Sequence, residues 1–284
     1  MSQQLRHLKS RIRSIEGTWK VTRAMEMVSM AKFKGLDAPL TAARFYFSRI
    51  ESILNNLLAA DTDMTHPYFR RRDKGAIGLV VITSDTGLCG GYTDQILSQA
   101  DAFLAAHKDR DIRLYVYGRK GQSYFRRIGR EVYRYFPGAH GRLSAVFHQE
   151  LTDAVLGDYN KKELAEVHVC YTLFKSAMKY IPSTAKFLHI DPKPRAAGGD
   201  FIIESGIKGI LSDLLPMYLA SRMRLLMLES FTCEQAARMV SMKSAKDNAK
   251  ELMGDLILLR NKIRQAAITK EVIEIISSAE ALKG

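Results

Sequence analysis

The stretch from Gly209 to Gly284 constrains this chain more than any other. Its only proline is Pro216, near the start, where a helix tolerates it best. Leu214, Tyr218, Ser221, Leu225, Leu228, Thr232, Ala236 and Met239 recur at spacings of three and four, and small residues crowd the stripe. A helix over 211–280 would be roughly 105 Å long at ~1.5 Å per residue. The other end mirrors it. From Gln3 to about Leu58, Leu5, Leu8, Ile12, Ile15, Trp19 and Thr22 keep the same spacing, continued by Met25 and Val28. That is a coiled-coil seam rather than the wider face of a globular helix, and it would run roughly 84 Å. Within it, 35-GLDAP-39 predicts a kink or break, because Pro39 removes a backbone donor and crowds the preceding turn. No compact domain of this size hides two such rods side by side. Much of each must project, supported by the other helix or by a different protein.

Between the rods the period changes. The segments 76-AIGLVVIT-83, 112-IRLYVYG-118 and 164-LAEVHVCYTLF-174 read as strands, with 183-STAKFLHI-190 a further one. Segments 93–107, 119–128 and 144–157 read as intervening helices, and 191-DPKPRAAGGD-200 as a loop. Strand alternating with helix argues for a largely parallel sheet covered by helices. The expected fold is therefore α/β plus a long α-helical coiled coil: antiparallel N- and C-terminal helices around an inserted Rossmann-like α/β domain. The expected division is 1–58, 59–208 and 209–284.

The chain carries a formal charge of +13, with ten Lys/Arg against four Asp/Glu in residues 1–58. A basic N-terminal rod implies an acidic partner, whether nucleic acid, anionic lipid or protein. No window approaches the ~18 to 20 uninterrupted apolar residues of a spanning helix. The opening MSQQLRHLKSRIRSIEG lacks the apolar core of a signal peptide, so secretion is not expected. Cys89, Cys170 and Cys233 are odd in number and far apart, which fits reduced thiols better than a disulfide framework.

Candidate chemistry centres on 82-ITSDTGLCGGYTDQIL-97, a strand, a glycine turn and a helix. Such a turn can hold phosphate, but the letters fail both tests. Read as G-x-G-x-x-G from Gly87, the third and sixth places are Cys89 and Tyr92; read as a Walker loop, no Lys follows Gly90 or Gly91. A strand-to-helix corner, with glycines at positive φ and Thr93 or Asp94 capping the helix, is the better account. Cys89 lacks a resolving Cys and a sequence-local His or Asp partner, so it reads as a small packed residue. The seven histidines show no zinc-like spacing. No catalytic residue, metal or cofactor is expected. The clusters 70-RRRDK-74 and 126-RRIGR-130 could grip phosphates or simply be solvated. Methionines gather in the rods, at Met25, Met27 and Met30 and at Met223, Met227, Met239 and Met242. Their adaptability suits helix pairing, or a surface that meets more than one partner conformation.

Three blocks carry a resemblance: 20-KVTRAMEMVSMAKFK-34, 85-DTGLCGGYTDQI-96, and 234-EQAARMVSMKSAKDNAKEL-252 followed by 261-NKIRQAAITKEVIEI-275. In order and separation they resemble the gamma subunit of F-type ATP synthase, across nearly the whole chain. The resemblance implies a non-catalytic rotor shaft that couples ion flow to ATP synthesis or hydrolysis, with ATP bound by the alpha and beta subunits around it. It implies partners in that ring, in the epsilon subunit and in the membrane c-ring, at the cytoplasmic face of a bacterial cell membrane. Carried over by motif position, Arg23 and Met25 would face beta's moving segment, and Arg264, Gln265, Thr269 and Glu271 the ring's inner loops. The segment 272-VIEIISSAEAL-282 would sit in an apolar sleeve. Phe201 and Glu204 would belong to the foot, where 200-DFIIESGIKGILSDLL-215 echoes the family pattern only loosely.

This chain departs from the family pattern at several places, as a divergent bacterial version would. Thr86 stands for the usual Arg, Thr93 for Asn, Phe45 for Pro, Lys246 for a small polar residue, and Ser277 and Ser278 for a Gly-Ala pair. Pro39 is an addition. Two other readings stay open on the residues alone: a nucleic-acid-binding coiled coil using the basic rod, and a nucleotide-dependent enzyme using the Gly87–Gly91 turn.

Overall fold

The computed structural model describes residues 2–60, 66–70, 72–138, 145–191 and 207–281. In chain order the elements are α1 (Ser2–Ala60), β1 (Ala76–Ile82), α2 (Tyr92–Ala106), β2 (Ile112–Tyr117), α3 (Arg119–Arg127), β3 (Arg134–Phe136), α4 (Ala145–Asn160), β4 (Leu164–Ser176), β5 (Lys179–Leu188) and α5 (Ile207–Ala281). The five strands form one sheet in the order β3-β2-β1-β4-β5. β1 pairs parallel with β2 and β4, β2 pairs parallel with β3, and β5 closes the edge antiparallel to β4.

Burial on both faces explains why β1 reads as an unbroken apolar run rather than an alternating one. Val80 and Ile82 join a core with Tyr115, Tyr117, Leu151, Val155, Val167 and Val169, and with Leu36, Leu40, Ile50 and Leu54 of α1 and Leu215, Leu219, Met223 and Leu228 of α5. Leu79 and Val81 join a second core with Ile96, Ala100 and Leu104 of α2, Phe125 of α3, and Leu114 and Val116. Alternate residues of one strand thus serve two layers.

Two strands escape the sequence pattern. β3 has three residues, too few to show a period. β5 begins at Lys179, before the expected start, and runs through Pro182. Proline supplies no ladder donor, but an edge strand tolerates it. At the β2–α3 junction Gly118 has φ of +95°, and a Cβ there would lie 2.3 Å from the Thr83 carbonyl oxygen. Only glycine fits that position.

The expected break at Pro39 does not occur: α1 is a 59-residue helix with Pro39 inside it. The carbonyl that Pro39 cannot satisfy belongs to Gly35, which is exposed, so water can take the hydrogen bond. Pro216 likewise lies inside the 75-residue α5, past its first turn. The loop at 191–200 lies outside the described residues beyond Asp191.

Contacts divide the chain into two compact units, Ser29–Arg238 and a unit of Met1–Val28 with Met239–Gly284. Within the first, Arg44 meets Glu229 and Phe47 meets Tyr218, so α5 descends as α1 climbs and the helices are antiparallel. Among the described residues no helix is long and apolar enough to cross a membrane.

Candidate functional site: the glycine turn and the two long helices

The turn after β1 lies at the C-terminal edge of the sheet, where β1 separates β2 from β4. In open α/β sheets this reversal of strand order is where ligands enter. Here α5 fills the position. Cys89 and Tyr92 pack against Cys233 and Ala237 in a small buried cluster. The Tyr92 hydroxyl donates to the Ser230 carbonyl at 3.1 Å. Arg238 donates from Nε to the Gly87 carbonyl at 3.2 Å, and from Nη2 to the Thr86 carbonyl and hydroxyl, both at 3.1 Å. The same guanidinium pairs with Glu234 at 2.7 Å. Burial pushes the Glu234 carboxyl above its usual range, while the Arg238 charge pulls it back.

Asp85 secures the start of the turn, its Oδ1 accepting from the backbone N–H groups of Arg119 and Gly138, each at 3.1 Å. A Cβ at Gly138 would come within 2.0 Å of that carboxylate. Gly90 has φ of +57°, as the corner reading expects, and Leu88 shares the left-handed region at +64°. Neither expected helix cap forms. α2 is capped by the backbone of Gly91 with no side-chain hydrogen bond. Thr93 bonds backwards instead, hydroxyl to hydroxyl with Ser84 at 2.8 Å and to Cys89 Sγ at 3.4 Å. Thr93 is already inside the first turn, where its hydroxyl tightens the corner rather than ending the helix.

Further along α5, Glu229 is buried and accepts from Arg44 Nε at 2.7 Å and Nη2 at 2.9 Å, and from the Phe174 N–H at 2.8 Å. Ser230 Oγ accepts from the Thr172 N–H at 3.1 Å. Sheet backbone, α1 and α5 are thus joined through two adjacent α5 side chains. Every residue from 226 to 238 is buried, which the three-four stripe did not foretell. The sequence signal was available in the charges: Glu229, Glu234 and Arg238 inside an otherwise small and apolar run need partners on every side. Cys89, Cys170 and Cys233 are free and buried. Burial raises the Cys170 thiol to about 11 and holds Cys233 higher still, so both stay protonated at neutral pH. Arg72, from the first basic cluster, turns inward. It donates to the carbonyls of Tyr159 and Leu164 and lies 3.9 Å over the Tyr159 ring.

The residues expected at an interface lie elsewhere, in the unit of 1–28 with 239–284. Arg23 is exposed, with its guanidinium 5.3 Å over the Trp19 ring, and Met25 is half-buried. Arg264, Gln265, Thr269 and Glu271 are all exposed, and the Thr269 hydroxyl donates to the Gln265 carbonyl at 3.0 Å. Every residue from 268 to 281 is exposed, including Ile268, Val272, Ile273, Ile275 and Ile276 at 47–68%. Phe201 and Glu204 lie outside the described residues.

These features define a class of protein: two long antiparallel helices anchored in an α/β body whose ligand crevice its own helix occupies. The ATP synthase family model matches residues 4–282. The ATP synthase gamma chain of Desulfitobacterium hafniense is 35% identical over 98% of this chain and 99% of its own length. Those of Moorella thermoacetica and an Anaeromyxobacter species are 36% and 37% identical, with the same coverage. A chain of the Euglena gracilis mitochondrial ATP synthase, in a structure of OSCP, F1 and c-ring, shares the fold at a TM-score of 0.69 and 16% identity, covering 99% of this chain and 95% of that one. The chain belongs to the ATP synthase gamma-chain family.

Proposed function

We propose that this chain is the non-catalytic central rotor of a bacterial F-type ATP synthase, turning inside an alpha–beta ring that carries out the ATP chemistry. The carrying observation is the apolar tip. A run of isoleucines and a valine exposed over residues 268–276 is what a partner surface leaves bare when the partner is absent. An apolar sleeve formed by the ring is the occupant the family supplies. Arg264 and Gln265 precede that tip, and Thr269 and Glu271 lie within it, as exposed polar groups able to remake contacts as the rotor turns. Arg23 and Met25 take the same role on α1. Torque then follows from an asymmetric surface that favours a different beta conformation at each angle, since a partner biases an equilibrium only through differential binding.

In this reading the division at 58 and 208 separates the two rods from the body. The body and the foot, with Phe201 and Glu204, meet the epsilon subunit and the c-ring at the cytoplasmic face of the membrane. The plugged crevice supports a body that holds no nucleotide, and nothing favours the nucleic-acid reading. The test is reconstitution with alpha and beta subunits. The chain alone should show no ATP hydrolysis, and removing residues 270–284 should weaken coupling while leaving the thermal unfolding of the body unchanged. A truncated chain that couples as well as the full one would overturn the role given to the tip.

A further inference from the structure

The two basic clusters of the sequence, 70-RRRDK-74 and 126-RRIGR-130, meet at one edge of the sheet. β1, β2, β3 and β4 run parallel, so the loops that precede them share the edge at their N-terminal ends. Residues 70–75 lead into β1 and residues 161–163 into β4, while α3 runs back from β2 and its last turn leads into β3. The backbone ties these loops together. The Ile77 N–H donates to the Asp111 carbonyl at 2.8 Å, and the Ala76 N–H to the Glu163 carbonyl at 3.1 Å. α3 stops at a turn where Gly129 has φ of +71° and the Arg130 N–H donates back to the Phe125 carbonyl at 2.9 Å. Phe125 is buried, and the turn leaves Arg126, Arg127, Ile128 and Arg130 exposed, Ile128 at 49%. Lys74, Lys161 and Lys162 are exposed on the same edge. Among the described residues, no carboxylate lies within ion-pair distance of any of these six cations. Glu163 is taken by Arg113, which leaves Asp73 and Glu131 as the exposed acids of these three loops. In the loop before β2, Lys108 and Arg110 are balanced by Asp109 and Asp111.

We propose that this edge is a membrane-contact surface: its cations meet the headgroups of an anionic phospholipid bilayer, and Ile128 enters the boundary layer between them. Position is the first support. β5 runs antiparallel to β4 and so ends at this edge, where the Ile190 N–H donates to the Tyr68 carbonyl at 2.8 Å. Tyr68, just after α1, lies 5.9 Å from the Tyr159 ring at the end of α4. Asp191, the last described residue before the segment of Phe201 and Glu204, is therefore at this edge too. In the rotor reading, on which the placement rests, that segment is the foot and faces the c-ring. Charge is the second support. The cations are spread from β3 to β4, a front of about 14 Å at ~4.8 Å per strand, and a fluid layer of phosphates supplies a counter-charge beneath each one. An acidic protein face must hold carboxylates at matching points. An apolar side chain standing among arginines is also the interfacial pattern, which couples headgroup attraction to shallow burial. The attraction of an anionic leaflet for each Lys or Arg fades within a Debye length, ~8 Å at physiological ionic strength. It acts only on an edge that lies against the surface. A headgroup layer offers no fixed partner, so it sets the height of the rotor and leaves its angle free.

The surface is tested on the full chain alone, by flotation with vesicles of phosphatidylcholine and of phosphatidylcholine mixed with phosphatidylglycerol. A chain of formal charge +13 is drawn to any anion, so two variants that remove equal charge are compared. One is Arg126→Gln/Arg127→Gln/Arg130→Gln at the turn; the other is Arg6→Gln/Lys9→Gln/Arg13→Gln, at exposed positions of α1. The turn variant should lower partition onto the mixed vesicles about 100-fold, roughly five-fold per cation. The α1 variant should lower it less than about 10-fold. Ile128→Ser, which changes no charge, should lower it about 5-fold. Equal losses in the two charge variants would overturn the proposal. If the turn variant melts early, Ile128→Ser and Lys74→Gln/Lys161→Gln/Lys162→Gln decide instead, and unchanged partition in both would overturn it. A turn variant that floats like wild type but assembles poorly with alpha, beta and epsilon subunits would make the edge a protein-facing surface, which also overturns it. The rotor placement is read separately, from a polarity-sensitive fluorophore at Ile128→Cys in the complex reconstituted into the mixed vesicles, the native cysteines being buried. Its emission should shift to the blue relative to the complex in detergent. Turn-dependent flotation of the chain with no shift in the complex would leave the surface standing and count against the rotor reading.

Discussion

One helix, α5, carries two stretches whose composition and exposure are opposite to what hydropathy expects. Residues 226–238, LMLESFTCEQAAR, are wholly buried yet include Glu229, Glu234 and Arg238. Residues 268–281, ITKEVIEIISSAEA, are wholly exposed yet carry four isoleucines and a valine. The inversion shows where each stretch keeps its partners. The buried charges are matched within the chain, by Arg44, the Phe174 N–H and the carbonyls of the glycine turn. The exposed isoleucines have no such match among the described residues, and under the rotor reading proposed above the ring supplies it. One segment is an anchor, and the other, in that reading, is a contact surface.

The contrast is most sharply broken at Arg238. Arg238→Ala strips the counter-charge from Glu234 and unhooks the turn at Thr86 and Gly87. Removing one member of a buried pair should cost about 3–5 kcal/mol, read as a shift of the urea midpoint. A loss below about 1 kcal/mol would mean the pair is no better than a surface one. Ser230→Ala leaves the buried Thr172 N–H without its acceptor at a cost of about 1–2 kcal/mol, and amide exchange at Thr172 should accelerate with it.

A smaller effect is confined to acid. Burial holds His168 on β4 below its ordinary pKa, against the pull of Glu166. The unfolded chain therefore takes up a proton near pH 6.5 that the folded chain resists. Stability is full above that pH and falls as pH drops through 6.5 toward the folded value. His168→Gln should flatten the dependence of the urea midpoint between about pH 7.5 and 5.5; an unchanged slope would remove His168 as its source. The smallest stability change belongs to the tip. Ile273→Ser with Ile276→Ser should alter unfolding by less than about 0.5 kcal/mol, while weakening assembly with the ring in a pull-down against alpha and beta subunits. Destabilisation comparable to Arg238→Ala would make the tip part of the fold and erase the contrast.

Much of this was legible beforehand. The three-four periodicity and the near absence of proline announced both long helices, because α-helical geometry repeats every 3.6 residues whatever surrounds it. The buried strands announced themselves as β-branched runs, and three motif blocks identified the family. Pro39 misled, and β5 runs through Pro182 from an earlier start than expected, since a single missing donor matters only where neither solvent nor a sheet edge makes up for it.

The amino-acid sequence by itself determined what is local: helix and strand, the corner at Gly90, and the α1 seam from Leu5 to Thr22, beyond which Val28 is exposed and Ser29 buried instead. Only the tertiary structure decided what is long-range. It put Arg238 on the glycine turn, joined Glu229 to Arg44 at a separation of 185 residues, and set Lys246 against Glu26. The reason is physical. Backbone preference acts over a few residues, whereas a buried charge is satisfied by whichever group the packed chain brings within about 3 Å, and periodicity does not encode that group's position.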